Sequence, residues 1–220
     1  MTTALFIHHS VGSQIIHQGG LRQKLSAAVP SLELWDHGYN ESGLADSSGS
    51  PLGTAFPIPH DDTDPGGLLD ILQGIAAGEP WAGRARTFDI LILKSCFPNN
   101  AIASDAAATC LKALYQQIRE VALALPQAVL LVSSPPLVLE ASSPGQAARA
   151  AEISGWLASH WTGPHLGYAN IFDVLTYRSG PAAGTLRLGY RRMRPRDSHL
   201  STAGAQAAAR VIVPAVQAVL

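Results

Sequence analysis

Five short runs of almost continuous apolar residues punctuate the chain, at Thr3–His8, Leu32–Asp36, Phe88–Lys94, Ala128–Ser133 and Gly167–Phe172. Each has strand length, and segments such as Asp89-Ile-Leu-Ile-Leu and Ala128-Val-Leu-Leu-Val have no alternating polar position. A strand of that pattern has to be buried on both faces, as in a parallel sheet covered by helices. Between the runs the hydrophobic period lengthens from two to about 3.6. Leu111, Leu114, Tyr115, Ile118, Val121, Ala122 and Leu125 recur at steps of three and four, which predicts a helix from Asp105 to Leu125 with Ser104 as N-cap and Pro126 as its stop. Further helices are expected at Gln14–Ala28, at Gly67–Ala77, at Pro144–His160 with Ser143 as cap, and from Thr202 to about Val213, where Pro214 should kink or end the helix.

Alternation of strands and helices is the pattern of βαβ units. Two stretches break it: Ala45–Asp64, crowded with Ser, Gly, Pro and Asp, and Arg178–Arg196, which carries arginines at 187, 191, 192, 194 and 196. Both read as long surface loops, either as walls of a site beyond the strand ends or as solvated excursions. No internal repeat is present.

Length and composition narrow the classes. At 220 residues, 47% of them hydrophobic, one domain over residues 1–220 can bury a full core. Charged residues make up 14%, against roughly 25% in average soluble proteins, which excludes charge-driven disorder. Fifteen basic and sixteen acidic residues leave a formal charge of −1, too little positive field for a nucleic-acid partner. The two cysteines, Cys96 and Cys110, form neither a disulfide framework nor a zinc pattern, so a reducing, cytoplasmic setting is expected. Met1-Thr2-Thr3 offers no basic leader, and Ala4–Ile7 is too short for a signal core or a membrane span; the fold is expected to begin at residue 3.

Candidate chemistry begins where the first strand ends, at His8-His9-Ser10-Val11-Gly12. Ser10 at a strand-to-helix turn either presents a nucleophilic hydroxyl to a crevice or caps the following helix. A serine nucleophile needs a base, and the base an orienting carboxylate; Asp197-Ser198-His199, just before the last helix, supplies both. The chain order Ser, Asp, His differs from trypsin-like and subtilisin-like enzymes, and no Gly-x-Ser-x-Gly elbow follows a mid-sheet strand.

The ordered series resembles the SGNH hydrolase superfamily, the GDSL-type esterases. Ser10 stands in the serine position, with His8-His9 in place of the usual Gly-Asp. Gly38-Tyr39-Asn40-Glu41-Ser42-Gly43 is similar to the family's Asn-x-x-x-Ser-Gly segment, and the resemblance implies an oxyanion-hole N–H at Gly43 beside that of Ser10. Lys94-Ser95-Cys96-Phe97-Pro98-Asn99-Asn100 stands where the family has Gly-x-Asn-Asp, which implies an oxyanion-hole amide at Asn99, with Asn100 as second choice. Ser133-Ser134-Pro135-Pro136 and Asn170-Ile171-Phe172-Asp173 also resemble the family. The family's Asp and His are often two residues apart; here only Ser198 intervenes.

The expected protein is a three-layer α/β/α, flavodoxin-like domain with a five-stranded parallel sheet in the order 2-1-3-4-5. It would cleave a small carboxylic ester through Ser10, His199 and Asp197, with no metal and no cofactor; the ester and the oligomeric state are left open. The rival reading is a non-catalytic fold of the same kind holding a carbohydrate or small molecule. Metal-dependent hydrolysis through His8, His9, His17, His37 or His60 lacks any ligand spacing, and a nucleotide binder would need a glycine-rich phosphate loop after the first strand.

Overall fold

A computed structural model describes residues 1–53 and 56–220; Thr54 and Ala55 of the expected Ala45–Asp64 loop lie outside the described residues. The strands are β1 (Thr2–Ile7), β2 (Leu32–His37), β3 (Leu44–Ala45), β4 (Ile90–Lys94), β5 (Ala128–Val132) and β6 (Leu166–Ala169). The helices are α1 (Ser10–His17), α2 (Leu21–Ala28), α3 (Pro65–Ala77), α4 (Asp105–Ala124), α5 (Pro144–His160), α6 (Ile171–Leu175) and α7 (Thr202–Gln217).

The sheet corrects the expected five-stranded parallel one. It has six strands in the order β3-β2-β1-β4-β5-β6, and the edge strand β3 pairs antiparallel with β2, the outermost parallel strand on that side, through Asp36–Ala45 and His37–Leu44. Two residues of pairing carry no hydrophobic period, so the pattern could not reveal this strand. The five parallel strands lie in register around β1, with Ala4 opposite Leu34 on one side and Ile90 on the other.

Successive strand residues feed opposite layers. Ala4 and Phe6 join a core with α1, α2 and α7, whereas Leu5 and Ile7 join a second core with α3, α4 and α5. This is the two-faced burial that continuous apolar strands require. Ser104 and Ser143 cap α4 and α5 as expected, the latter in a capping box with Gln146.

Three boundaries differ from the sequence reading. The expected Gln14–Ala28 helix is two helices, because Gly20 takes φ 66°, a left-handed conformation that breaks the turn at little cost for glycine. The last helix continues through Pro214 to Gln217. Pro214 is exposed, so the carbonyl it leaves without a helical donor can be hydrated, while Val216 beyond it is fully buried against the core. Phe172 ends no strand; it lies in α6, whose N-cap Asn170 accepts the Asp173 N–H.

Candidate active site

The order of the parallel strands reverses between β1 and β4, and β1 delivers His8-His9-Ser10 to that switch point. Helix α1 begins at Ser10, its N-cap residue is His9, and no side chain caps it. Ser10 therefore does not act as a cap. Its Oγ lies 3.1 Å from His199 Nε2, and His199 Nδ1 lies 2.6 Å from Asp197 Oδ1. With Nδ1–H donating to the carboxylate, Nε2 is free to accept the serine proton.

Several local devices hold this chain of three. Asp197 Oδ1 also accepts the His199 backbone N–H at 2.9 Å, so the single-residue spacing closes a tight turn. The fully buried Ser198 accepts the Val138 N–H through its Oγ at 3.0 Å, which fastens the loop to the segment beyond β5. Leu200 N–H donates to Gln14 Oε1 at 3.0 Å, so the same loop is tied to α1 four residues beyond Ser10. Phe97 sets its ring edge against His199, centroids 5.1 Å apart. Burial pushes the Asp197 carboxyl up, yet the His199 N–H and ring, with the Arg192 charge, outweigh it and hold the group below its ordinary value. The carboxylate is thus kept ionised to orient the imidazole.

Beneath Ser10 lies a second charged group that the sequence reading left unexplained. His8 Nε2 sits 3.0 Å from Asp36 Oδ2, and its Nδ1 2.9 Å from the His9 carbonyl. Arg22 pairs with the other oxygen of Asp36 and donates to the Leu34 carbonyl. Burial raises the Asp36 carboxyl, but the bond to His8 and the charges of His8 and Arg22 hold it below its ordinary value. Helix α1 lies directly on His8: a Cβ on Gly12 would fall 2.3 Å from His8 Cβ, so only glycine lets the helix start so close to the strand end. His9 points elsewhere and stacks on Tyr39, centroids 4.0 Å apart.

A cavity of about 600 Å³ opens over Ser10 and His199, lined also by Gln14, His17, Gly38, Tyr39, Gly43 and Arg192. Gly43 is therefore at the site, but its N–H donates to the Tyr39 carbonyl at 2.9 Å. Asn99 and Asn100 do not line this cavity. Asn99 Nδ2 donates to the Cys96 carbonyl at 3.2 Å, closing the turn of its own loop. Asn100 is buried, and its Nδ2 bridges the Ser134 and Pro135 carbonyls at 3.2 and 2.8 Å. The amide of Asn99, the first choice, is thus spent within its own loop, and that of Asn100, the second choice, on fixing two loops together. Of the groups assigned to the oxyanion, the Ser10 N–H is at the start of α1, where the first turn has no helical acceptor.

The histidines considered as metal ligands are dispersed among separate partners, and no three His, Cys, Asp or Glu of the described residues are grouped to hold a metal ion. Lys94 is fully buried, its Nζ donating to the Ser95 carbonyl at 2.8 Å, and burial pushes the amine down. Among the described residues no helix is long and apolar enough to cross a membrane. Gln14 and Phe97 are the site residues the sequence reading missed, whereas Arg192 belongs to the arginine stretch it read as either a site wall or a solvated loop. Gln14 had one legible signal: it stands at i+4 from Ser10, on the same helix face.

No family model and no curated protein matches this sequence. Solved structures do. A lipase, Lip_vut3, from a goat rumen metagenome superimposes with a TM-score of 0.61 at 10% identity, over 98% of this chain and 97% of that one. TesA does so with 0.59 at 14% identity over the whole of both chains. A carbohydrate esterase of family 3 from Talaromyces cellulolyticus gives 0.53 at 14% identity, over 100% and 98%. A GDSL-like lipase from Bacteroides thetaiotaomicron is similar as well, at 0.57 and 11% identity, over 100% and 89%. At such identities the likeness is one of fold: the chain has the mixed α/β architecture of GDSL-like lipases and acylhydrolases.

Proposed function

We propose that this protein is a serine ester hydrolase of the SGNH type, acting through a covalent acyl-enzyme on Ser10. The observation that carries the reading is the continuous hydrogen-bond chain from Asp197 through His199 to Ser10 in an open cavity. Ser10 Oγ attacks the ester carbonyl while His199 Nε2 takes its proton, and Asp197 stabilises the imidazolium that forms. The tetrahedral oxyanion faces the Ser10 N–H at the start of α1, where backbone donors and the helix dipole favour negative charge. Collapse expels the alcohol, which receives the proton from His199. Water, activated by the same histidine, then frees the acyl group and restores Ser10. Gly43 and Asn99 hold their donors in turn bonds, so the reading retains Ser10 N–H as its oxyanion donor. The free thiols of Cys96 and Cys110 support a reducing, cytoplasmic setting.

The engaged donors of Gly43 and Asn99 favour one other reading, a binding module of the same fold without chemistry. Fluorophosphonate labelling with peptide mapping, together with nitrophenyl esters of increasing acyl length, separates the two. The hydrolase should take one label, at Ser10, and lose it in His199→Ala; its hydrolysis should fall by roughly 10³-fold or more in His199→Ala and less in Asp197→Ala. Ser133 accepts the Phe172 N–H and Ser95 is buried, so a label on either, or no label on the folded protein, would sink the proposal.

A further inference from the structure

The electrostatics of the cavity are one-sided. Asp36 is its only lining carboxylate among the described residues, and that group is already held by Arg22 and His8. Arg192 is its only lining Lys or Arg, and its guanidinium has no hydrogen bond or ion pair with any described residue. Of the neighbouring arginines, Arg191 pairs with Glu140 at 2.6 Å and Arg187 lies over the Tyr190 ring, while Arg194 and Arg196 do not line the cavity. Arg192 is also positioned rather than loosely tethered, because its backbone N–H donates to the His199 carbonyl at 3.0 Å and Arg191 bridges Leu200. Its charge is close enough to Asp197 to help hold that carboxylate ionised.

The lining also follows one face of α1 from Ser10 through Gln14 to His17, eight residues whose seven steps span about 10 Å at about 1.5 Å each. The cavity thus extends from the nucleophile along a wall with no free acidic group, and its single unpaired charge is a guanidinium.

We infer that Arg192 forms a subsite for an anionic group on the ester, a carboxylate or phosphate that shares the cavity with the scissile carbonyl. The inference rests on the reading of Ser10 as nucleophile and narrows its substrate class to anionic esters. A planar guanidinium with no hydrogen bond to the described residues suits two-point binding of such a group.

The test compares 4-nitrophenyl acetate with three anionic esters: 4-carboxyphenyl acetate, 4-phosphonooxyphenyl acetate and mono-4-nitrophenyl glutarate. These distinguish carboxylate from phosphate and the alcohol side from the acyl side. The natural protein should prefer at least one anionic ester in kcat/KM relative to its uncatalysed hydrolysis. Arg192→Gln should cut that preference about tenfold, chiefly through KM, Arg192→Lys should keep part of it, and added salt should erode it. No preference for any anionic ester would overturn the inference, as would an equal fall for neutral and anionic esters in Arg192→Gln, which would mean that Arg192 acts only through Asp197. Either result alongside a labelled Ser10 leaves the hydrolase reading standing. With no label and no turnover of any ester, both fall together.

Discussion

Gln14→Leu isolates the tether between the histidine loop and the helix of the nucleophile. Gln14 Oε1 accepts the Leu200 N–H at 3.0 Å, and the two residues are 5% and 0% exposed, so water cannot replace the lost acceptor. Leaving a buried N–H unpaired costs about 1–3 kcal/mol. Part of this is offset, because Gln14 Nε2 is itself buried without a partner and leucine removes that group while keeping most of the volume. A net loss of about 1–2 kcal/mol lowers Tm by about 2–8 °C in a domain of this size. The effect on turnover should be larger than that stability loss implies. The freed loop carries His199, and displacing a catalytic group by about 1 Å typically costs about 10²-fold, so kcat should drop about 10- to 100-fold with KM little changed. Differential scanning calorimetry and nitrophenyl ester kinetics measure both. A lowered Tm with kcat within twofold of the parent would show that the bond is only structural. No change in either would mean that it does not hold the loop.

Asn100→Ala should destabilise the protein by about 1–3 kcal/mol, since it strips two buried carbonyls of their donor, whereas Asn99→Ala should change Tm and kcat little; thermal melts and ester kinetics on both variants check this, and a kcat loss confined to Asn99→Ala would restore it to the oxyanion site. The Asp36 carboxyl is held below its ordinary 3.8, so its contribution to stability is present above about pH 4 and is lost as pH falls through the depressed value. Asp36→Asn should accordingly flatten the fall of Tm between about pH 5 and 2, and an unchanged acid limb would refute the role of the His8–Asp36–Arg22 group.

The sequence by itself determined the layers and the three residues proposed to react. Runs such as Ile90–Leu93 and Val129–Leu131 can only be covered on both faces, so helices on two sides followed from pattern alone. Ser104, Ser143 and the Pro144 start were legible because capping is satisfied within a few residues. Ser10, Asp197 and His199 could be picked out by type and chain order, since a strand end and a helix start are local features that bring their loops to one edge of a parallel sheet. What the sequence could not decide was where each polar donor is spent. Asn99 and Gly43 carry suitable groups for an oxyanion, but a nearby carbonyl, from Cys96 or Tyr39, takes each of them. Asn100 is claimed by carbonyls 34 and 35 residues away. The role of Gln14 depends on Leu200, 186 residues distant, and the two-residue strand Leu44–Ala45 exists only because the β2 edge is there to pair it. A hydrogen bond falls off steeply with distance and angle, so partners are chosen by final coordinates, which burial patterns specify for whole elements but not for single donors.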